Sequence, residues 1–498
     1  MRQGKFMTST AIFWFRQDLR LVDNPALNAA FEQHDCIIPV YLHTPNDEGG
    51  WSAGEPSLWW LERSLKALKK ALKNRHDLLL QIRKGDAFTE LEKIIHESDA
   101  DAVFWNRQYE PAIVKRDEKI KSKLKVIGLY AKSYNGNLLW DPWQIENKSG
   151  EPYKVFTAFH KNYLTQPQQD YRAIVSAKKP LTKGLKNNLN VSDLGLVSSH
   201  PWHKKLNGLW EPGEASAQDQ LNRFITSYLV KYPEERDEPA KNATSILSIH
   251  LHFGEISVRQ IFAVTQDLKL QHTNDVNLMA IEAFERQLIW REFAHHLMFH
   301  FPHTIEQVFN PKYSNFPWQD DPEIQKLWQQ GETGIPLVDA GMKELWATGI
   351  MHNRARMIVA SFLIKNLGQH WLTGARWFWD TLLDADLANN TMGWQWVAGS
   401  GADAAPYYRI FSPVRQGERF DPQGEYIRRW LPELSGLPDR YIYTPWMATA
   451  DILADSGVKL AENYPRPIVD LADSRKAALD IYKAWKRNQT INIKKYVE

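Results

Sequence analysis

The run Ala11-Ile-Phe-Trp-Phe15 is the first of five short apolar segments in the N-terminal part of the chain. The other four are residues 36–42, 78–82, 102–105 and 126–130. Longer stretches with helical periodicity separate them, such as residues 57–73 and 87–96. Strands that alternate with helices are typical of a parallel sheet with helices on both faces. The pattern therefore predicts a Rossmann-like α/β domain in which these five segments are the strands.

After about residue 140 the alternation ends. Residues 147–153 and 176–213 are polar and contain Lys, Asn, Gly and Pro, which is typical of a long connector that runs over the surface. Beyond residue 217 the periodicity is helical, and one apolar helix face is formed by Leu278, Ile281, Phe284, Leu288 and Phe293. Residues 337–367, broken near Gly349, and residues 474–487 are further helix candidates. We expect an α/β domain over residues 1–140, a connector over 141–215 and an all-α domain over 216–498.

Charge and cysteine content exclude several classes of protein. The 498 residues include 61 Lys and Arg against 59 Asp and Glu, a net charge of +2, so nucleic acid can be bound only through a local patch. The single cysteine, Cys36, excludes a disulfide framework, a four-cysteine zinc site and a cluster held by four thiolates. No apolar run approaches a membrane span, and residues 1–10 lack the apolar core of a signal peptide. We expect a reducing, cytoplasmic compartment and no membrane contact.

Two segments of the C-terminal part carry groups that suit a phosphate. Thr244-Ser-Ile-Leu-Ser248 stands just before a predicted helix, and its hydroxyls suit either a phosphate or an ordinary helix cap. Arg354 and Arg356 are two residues apart and therefore face different sides of a helix. Two interpretations are possible. One arginine reaches outward to a phosphate while the other pairs with a group inside the protein, or both arginines are solvated.

A third segment combines carboxylates with tryptophan. Asp384 and Asp386 precede Trp394 and Trp396. If the carboxylates are buried they need partners such as Arg356; otherwise they are the acidic start of a helix. The 21 Trp of the chain indicate large cores, stacking on bases or on an aromatic cofactor, or a relay for electrons.

Two patterns are set aside. Gly399-Ser-Gly-Ala-Asp-Ala404 has the spacing of a dinucleotide-binding loop, but it follows no predicted strand and Pro406 interrupts any helix after it. Histidines occur in two groups, one with His250 and His252 and the other, around a predicted helix end, with His295, His296, His300 and His303. Because no HExxH motif is present, we interpret them as core or surface histidines and expect no metal.

Several motifs together resemble those of one family. They are Trp14-Phe-Arg-Gln-Asp-Leu-Arg20, Tyr153-Lys-Val-Phe-Thr157, Trp290-Arg-Glu-Phe293, residues 351–357, residues 384–396 and Asp403-Ala-Ala-Pro-Tyr407. On these residues, which span nearly the whole chain, the sequence resembles the photolyase/cryptochrome flavoproteins, and most of all the bacterial photolyases that repair cyclobutane pyrimidine dimers. The resemblance implies an α/β antenna domain, a helical FAD-binding domain and light-dependent repair. In that reaction photoexcited reduced FAD donates an electron that splits the dimer and then returns.

The resemblance also implies which residues surround FAD. They are Tyr232, Thr244, Ser245, Ile246, Leu247, Ser248, Arg291, Asn353, Arg356, Asp384, Ala385, Asp386 and Asn390. In the family's pattern Asp384 pairs with Arg356, Asp386 meets the flavin N3–H and Asn390 lies beside flavin N5. Three tryptophans match the electron-transfer chain that photoreduces FAD, with Trp394 next to the flavin, Trp371 in the middle and Trp318 near the surface. We expect these three and Asn390 to be the catalytic residues.

A further set of residues matches the family's lesion pocket and DNA contacts. They are Arg236, Gln287, Trp290, Asn353, Arg354, Met357, Trp396 and Gln416. Trp290 and Trp396 match the aromatic walls, whereas Arg236, Arg354 and Gln416 match DNA-facing positions. Gln287 departs from the glutamate of the best-known dimer photolyases and is the residue that six-four photolyases carry. Ile350 and residues 389–392 also depart from the commonest form.

The antenna chromophore and the activity leave alternatives open. Within Trp105-Asn-Arg-Gln-Tyr-Glu110, Glu110 matches a contact to methenyltetrahydrofolate, which we favour over 8-hydroxydeazaflavin or no antenna. The expected partner is UV-damaged DNA, bound by a monomer of bacterial type at the nucleoid. The alternatives are a six-four photolyase and a signalling cryptochrome without repair. The end of the chain soon after its last predicted helix weighs against the cryptochrome, and Asn353 and Met357, where six-four photolyases have histidines, weigh against the six-four enzyme.

Overall fold

The N-terminal part of the protein, seen in a computed structural model, is built on a parallel sheet. The model describes residues 9–167, 180–181, 183–199, 201–271, 275–405 and 408–495, with side chains to residue 489. The strands are β1 (Thr10–Phe15), β2 (Cys36–His43), β3 (Gln81–Lys84), β4 (Ala102–Asn106) and β5 (Tyr130–Tyr134), in the spatial order β3-β2-β1-β4-β5. The three central strands are buried along their whole length, because helices cover both faces of the sheet. The predicted α/β fold is confirmed.

Helices make up most of the remaining structure. Those that accompany the sheet are α1 (Pro25–Gln33), α2 (Glu55–His76), α3 (Ala87–Ser98) and α4 (Pro111–Val126), and α5 (Phe156–Tyr163) lies in the connector. The helices that follow are α6 (Glu214–Ser227), α7 (Tyr232–Glu235), α8 (Ser248–His252), α9 (Val258–Gln271), α10 (Asp275–His300), α11 (Pro322–Gln330), α12 (Pro336–Thr348), α13 (Asn353–Ser361), α14 (Trp371–Thr381), α15 (Leu387–Ala398), α16 (Pro413–Phe420), α17 (Glu425–Trp430), α18 (Asp439–Ile442), α19 (Ala450–Asp455) and α20 (Leu471–Lys495). Past residue 214 the described part of the chain contains no strand, so the helical class of this part is confirmed too. None of the described helices is long and apolar enough to cross a membrane.

The strand predicted at residues 126–130 is wrong. Helix α4 continues to Val126, whose side chain is 86% exposed, and the chain turns at Gly128 with φ +78° before β5 begins at Tyr130. Strand β5 lies at the edge of the sheet and is only partly buried, so it carries polar residues instead of an apolar run. The third strand is also displaced, because the predicted run at residues 78–82 pairs with β2 only from Gln81 onward.

The connector is more closely packed than a surface segment. Phe156 and Phe159 of α5 are buried against α10, in the same apolar cluster as Phe293. Farther along, Asn188 accepts a hydrogen bond from the Ile82 N–H at 2.7 Å, so the connector covers the outer edge of β3. The connector therefore shields a sheet edge and completes a helical core. Residues 168–179, which include the start of its second polar stretch, lie outside the described residues, and the domain boundaries remain a prediction.

A buried arginine ties the sheet to the loop that follows α8. Arg20 donates to the backbone oxygens of Gly254 at 3.0 Å and Gly136 at 2.6 Å, and its side chain has no solvent exposure. Gly254 has φ +64°, and a Cβ at this position would overlap the backbone of Gln17 and Asp18. Glycine is therefore required both by the left-handed conformation and by the close approach of two chain segments. This contact places the segment around α8 at a defined position relative to the α/β domain.

His296 on α10 holds the connector through both ring nitrogens. The Tyr153 N–H donates to Nε2 at 3.0 Å, and Nδ1 lies 3.1 Å from the Pro142 oxygen. A carbonyl only accepts, so Nδ1 carries the proton and the ring is neutral. Burial, with a smaller contribution from the nearby His300, lowers the pKa of His296 from 6.5 to about 4.

We expect this histidine to contribute to acid sensitivity. Between pH 6.5 and pH 4 the unfolded chain binds a proton at His296 that the folded protein does not, so stability falls as the pH is lowered through this window. The free energy of unfolding in urea should drop between pH 7 and pH 5 by roughly 2 kcal/mol more in the wild type than in His296→Gln. The exposed His303→Gln is the control and should keep the wild-type pH dependence. Equal pH dependence in wild type and His296→Gln would contradict the assignment.

Candidate functional site

A charge pair lies in a cleft between α8, α13 and α15. Nη2 of Arg356 donates to both carboxylate oxygens of Asp384, at 2.9 and 3.0 Å, and the Ser248 hydroxyl donates to the same carboxylate at 2.7 Å. The Asp384 side chain is 6% exposed. Ser248 is exposed although Leu247 and Ile249 on either side are buried, so an open space reaches into the core as far as this pair. Arg356 is therefore the arginine of the Arg354/Arg356 pair that pairs with a group inside the protein.

A second carboxylate, Asp386, lies at the start of α15. Its Oδ1 accepts from the Asn389 N–H and from Asn389 Nδ2, both at 2.8 Å, and its Oδ2 lies 3.5 Å from His295 Nε2. Burial alone would raise the pKa of Asp386, but its neighbours His295 and Arg291 and the Asn389 N–H outweigh burial and lower it. Burial lowers the pKa of His295. Asp386 is therefore an ionised acceptor with one oxygen directed away from its helix, which suits a ring N–H of a bound cofactor.

The side chain of Asn390 has a defined orientation one turn before Trp394. Its Nδ2 donates to the Ala375 oxygen of α14 at 2.9 Å, which leaves the amide oxygen directed elsewhere. Three residues on, Gly393 is exposed in mid-helix, and a Cβ there would meet no atom within 4 Å. The helix surface at Gly393 is therefore open to solvent and not covered by another element.

The residues predicted to surround a phosphate lie between α7 and α8. Tyr232 begins α7 and is buried, whereas Thr244, Ser245 and Ile246 are half-buried in the loop before α8. Ile246 has φ +54°, a left-handed conformation that is strained for a β-branched residue and is found most often at functional sites. Gln220 of α6 holds the loop by donating to the Ser245 oxygen at 2.9 Å. Ala385, between the two carboxylates, is buried.

The three predicted relay tryptophans lie in order from core to surface. The Trp394 ring packs against Gly374 of α14, and Trp371 lies one turn earlier on that helix with no solvent exposure. His370 lies between Trp371 and Trp318, since its ring centroid is 5.8 Å from that of Trp371 and 5.6 Å from that of Trp318. Trp318 is half-buried. The structure brings these residues together, and their role in electron transfer remains a prediction.

One wall of the predicted lesion pocket is supported by the connector. Trp290 stacks on Phe156 of α5, with centroids 3.5 Å apart and planes 7° from parallel. The other predicted wall, Trp396, donates from Nε1 to the Asp403 oxygen at 3.1 Å. Pro406 and Tyr407, the last residues of that motif, lie outside the described residues.

The predicted DNA contacts differ in accessibility. Asn353 is exposed, and its Nδ2 lies 3.9 Å from Sδ of the half-buried Met357. Arg354 is 14% exposed, because it pairs with Asp237 at 2.7 Å and lies over the Phe420 ring at 4.0 Å. Oε1 of Gln416 is buried with no hydrogen-bond partner among the described residues. The Asp237 pair and the Phe420 ring therefore leave only a small part of Arg354 accessible to DNA.

Glu110 precedes α4 at the carboxyl edge of the sheet. Its Oε2 is buried with no hydrogen-bond partner among the described residues, and burial, reinforced by the field of Asp386, raises its pKa. The crevice between β1 and β4, where ligands of such sheets usually bind, contains the Arg16 side chain. Arg16 is 5% exposed and hydrogen-bonds to Asp117 and to the Asn106 oxygen.

Sequence reasoning missed two side chains of this site. His295 was interpreted as an ordinary core or surface histidine, yet it faces Asp386; its spacing of four residues from Arg291 on one helix was the available signal. Trp328 of α11 contacts Trp394 with centroids 6.2 Å apart, and nothing in the local sequence distinguishes it from other core tryptophans. No group of three or more potential metal ligands occurs within the described residues.

Comparison with known proteins assigns the class. Residues 284–484 match the FAD binding domain of DNA photolyase, and residues 11–179 match the DNA photolyase domain. A deoxyribodipyrimidine photo-lyase from Agrobacterium fabrum is 44% identical over 96% of this chain and 99% of its own length. The chain belongs to the photolyase/cryptochrome family, as its motifs predict.

Two further comparisons within that family, one with a photolyase structure and one with a cryptochrome, cover most of this chain. A crystal structure of a bacterial class III photolyase from Agrobacterium tumefaciens has a TM-score of 0.92 and 44% identity, covering 98% of this chain and 99% of the other. Cryptochrome-2 of Arabidopsis thaliana is 39% identical over 94% of this chain and 78% of its own length. By these likenesses the protein is an enzyme of the photo-lyase class, with a FAD-binding domain.

Proposed function

We propose that this protein repairs UV-damaged DNA by splitting cyclobutane pyrimidine dimers in light, with FAD as cofactor. The observation that supports this most directly is the Arg356–Asp384 pair beside the exposed Ser248, with the buried Asp386 and the oriented amide of Asn390 following it at the start of α15. An ionised acceptor and an oriented amide on one helix suit the polar edge of a flavin ring. Because Arg356 pairs with Asp384, this part of the site contains a buried carboxylate without leaving its charge unpaired.

The residues of the chain hold and orient this cofactor. Thr244 and Ser245 contribute hydroxyls at the phosphate end, the Ser248 hydroxyl holds Asp384, and Arg291 contributes positive charge near Asp386. Asp386 accepts from the ring N3–H, and Asn390 presents its amide oxygen toward the N5 side. When bound and reduced, FAD supplies the photoexcited electron that splits the dimer. Trp394, Trp371 and Trp318 form a path for electrons from the surface to the flavin.

The lesion leaves the duplex to reach the cleft. Photolyases are among the enzymes that flip their target base, and a pocket with aromatic walls replaces part of the lost stacking. Trp290 and Trp396 form these walls, with Gln287, Asn353 and Met357 beside them. Arg236, Arg354 and Gln416 contact the DNA around the pocket, which gives a salt-dependent affinity without sequence preference. We further propose that the protein acts as a monomer on DNA in the bacterial cytoplasm and nucleoid.

An antenna chromophore of the folate type is part of the proposal. The carboxylate oxygen of Glu110 that has no partner among the described residues suits the N–H groups of a pterin. Chromatography of the chromophores released from the purified protein identifies both FAD and any methenyltetrahydrofolate.

The class of lesion follows from two pocket residues. Six-four photolyases use pocket histidines for proton transfer to the lesion, and Asn353 and Met357 occupy those two positions here. Cyclobutane splitting needs an electron and no catalytic proton, so the loss of these histidines costs a dimer photolyase nothing. Gln287, the one pocket residue that points toward the six-four enzymes, cannot supply the missing acid.

The reduced enzyme should therefore repair an oligonucleotide with a cyclobutane dimer under blue light and leave a six-four lesion intact. Product chromatography on each defined lesion measures this. Repair of the six-four lesion alone would overturn the assignment. Repair of neither would favour a signalling cryptochrome, the class of a 39% identical relative.

A further inference from the structure

Arg236 and Gln287 meet where α7 approaches α10. Nη2 of Arg236 lies 3.2 Å from Oε1 of Gln287, and Nε2 of Gln287 lies 3.3 Å from the Ala283 oxygen, one turn earlier on α10. A guanidinium only donates and a carbonyl only accepts, so both contacts require the same orientation of the amide. The opposite orientation would set the amide NH₂ against the guanidinium and the amide oxygen against a carbonyl.

This orientation decides what Gln287 can offer to a neighbouring molecule. An amide has two N–H donors and two lone pairs, and the two contacts use one of each. The remaining lone pair lies on an oxygen already bound to a cation, which makes it a weaker acceptor. The remaining N–H belongs to an amide that the cation polarises, which makes it a stronger donor. In the direction of the pocket Gln287 is therefore mainly a hydrogen-bond donor.

We propose that Arg236 is a positioning residue that fixes Gln287 as a donor to a carbonyl oxygen of the lesion. This rests on the proposed function, because it requires a pyrimidine dimer beside Gln287. The carbonyl oxygens of a pyrimidine gain negative charge when the ring accepts an electron. A donor held in place before the electron arrives stabilises that charge without reorganisation. The pocket then achieves with a neutral amide what a protonated carboxyl would otherwise have to supply.

Arg236 also retains donors for DNA. Its guanidinium carries five N–H groups, one of which is used by Gln287, and it lies 5.2 Å from the Tyr232 ring centroid. A phosphate contact and the positioning contact can therefore coexist, but they affect different quantities. A phosphate contact changes affinity and its salt dependence. Positioning changes the yield of repair at saturating lesion and acts only through Gln287.

A double-mutant cycle on the chemically reduced holoenzyme separates these effects. The variants are Arg236→Met, Gln287→Met and the double variant, with Arg236→Lys as the conservative replacement that keeps one donor for Oε1. Repair per absorbed photon is measured at saturating dimer oligonucleotide, and lesion affinity is measured at two salt concentrations. Flavin content and thermal unfolding check the fold, and Arg236→Leu, which also has no donor, replaces Arg236→Met if the latter is insoluble.

We expect Arg236→Met and Gln287→Met each to lower the yield by roughly 3- to 10-fold, the value of one hydrogen bond. The double variant should be no worse than Gln287→Met, and Arg236→Lys should stay near the wild type. Yield losses that multiply in the double variant, or a change in affinity alone, would overturn the positioning role while repair itself stands. Absence of dimer repair by the wild type would instead refute the proposed function.

Discussion

Arg356→Ala is expected to cost roughly 3 kcal/mol of folding free energy and most of the bound FAD. The substitution removes the guanidinium that donates to both oxygens of Asp384 and leaves a carboxylate 6% exposed with only the Ser248 hydroxyl as a partner. An unpaired buried charge is far more costly than the loss of a surface pair. The readouts are the urea midpoint and the ratio of flavin to protein absorbance after purification.

Two variants on the same helix serve as controls. Arg356→Lys keeps the charge but loses the Nε contact to the Met351 oxygen, so an intermediate loss is expected. Arg354→Ala removes an arginine whose partner, Asp237, is 38% exposed, and should cost about 1 kcal/mol or less. Full flavin content in Arg356→Ala, or equal losses in Arg354→Ala and Arg356→Ala, would show that the Asp384 pair does not support the cofactor site.

Trp371→Phe is expected to abolish light-driven reduction of oxidised FAD. Phenylalanine is much harder to oxidise than tryptophan, and Trp371 lies between Trp394 and the His370–Trp318 contact. Repair by chemically reduced enzyme should persist, because splitting of the dimer does not draw on the relay. Absorbance of the oxidised flavin under blue light with a thiol reductant follows photoreduction, and dimer repair after dithionite reduction follows catalysis.

Trp430→Phe is the matched control for loss of a tryptophan from the same helical core. It should photoreduce at the wild-type rate. If Trp371→Phe also photoreduces at that rate, electrons take another path. Trp328, whose ring contacts Trp394, would then be the next residue to replace. If dithionite-reduced Trp371→Phe fails to repair, the substitution has damaged the site and not the relay.

The parts of the fold that were predictable are those in which burial and periodicity agree. Central strands such as β1 are apolar because both faces are covered, so the sequence pattern locates them well. The edge strand β5 is partly exposed and polar, and the apolar residues before it belong to the end of α4. Local composition cannot distinguish a polar edge strand from a loop, or an apolar helix end from a strand. Whether a strand lies at the edge of the sheet depends on which strands pair.

In the candidate site, too, some contacts could be predicted from the sequence and others could not. The pairing of Asp384 with Arg356 was predictable from the motifs of the family, and it agrees with the rule that a buried carboxylate requires a cation. That His295 faces Asp386 depends on how α10 crosses α15, and that Arg354 is held by Asp237 depends on the path of the loop after α7. Such contacts join distant segments of the chain, so spacing within one segment, like that of Arg291 and His295 on α10, shows at most a shared helix face and not the partner.

The stacking of Phe156 on Trp290 has a consequence for chimeras between members of this family. Helix α5 precedes the helical part in the chain, yet its Phe156 ring supports Trp290, a wall of the proposed lesion pocket in that part. An exchange of antenna domains with a crossover after α5 would import a foreign residue beneath Trp290. A crossover before Phe156 keeps the stacked pair of one parent, so the functional module of the helical part begins with the connector helix.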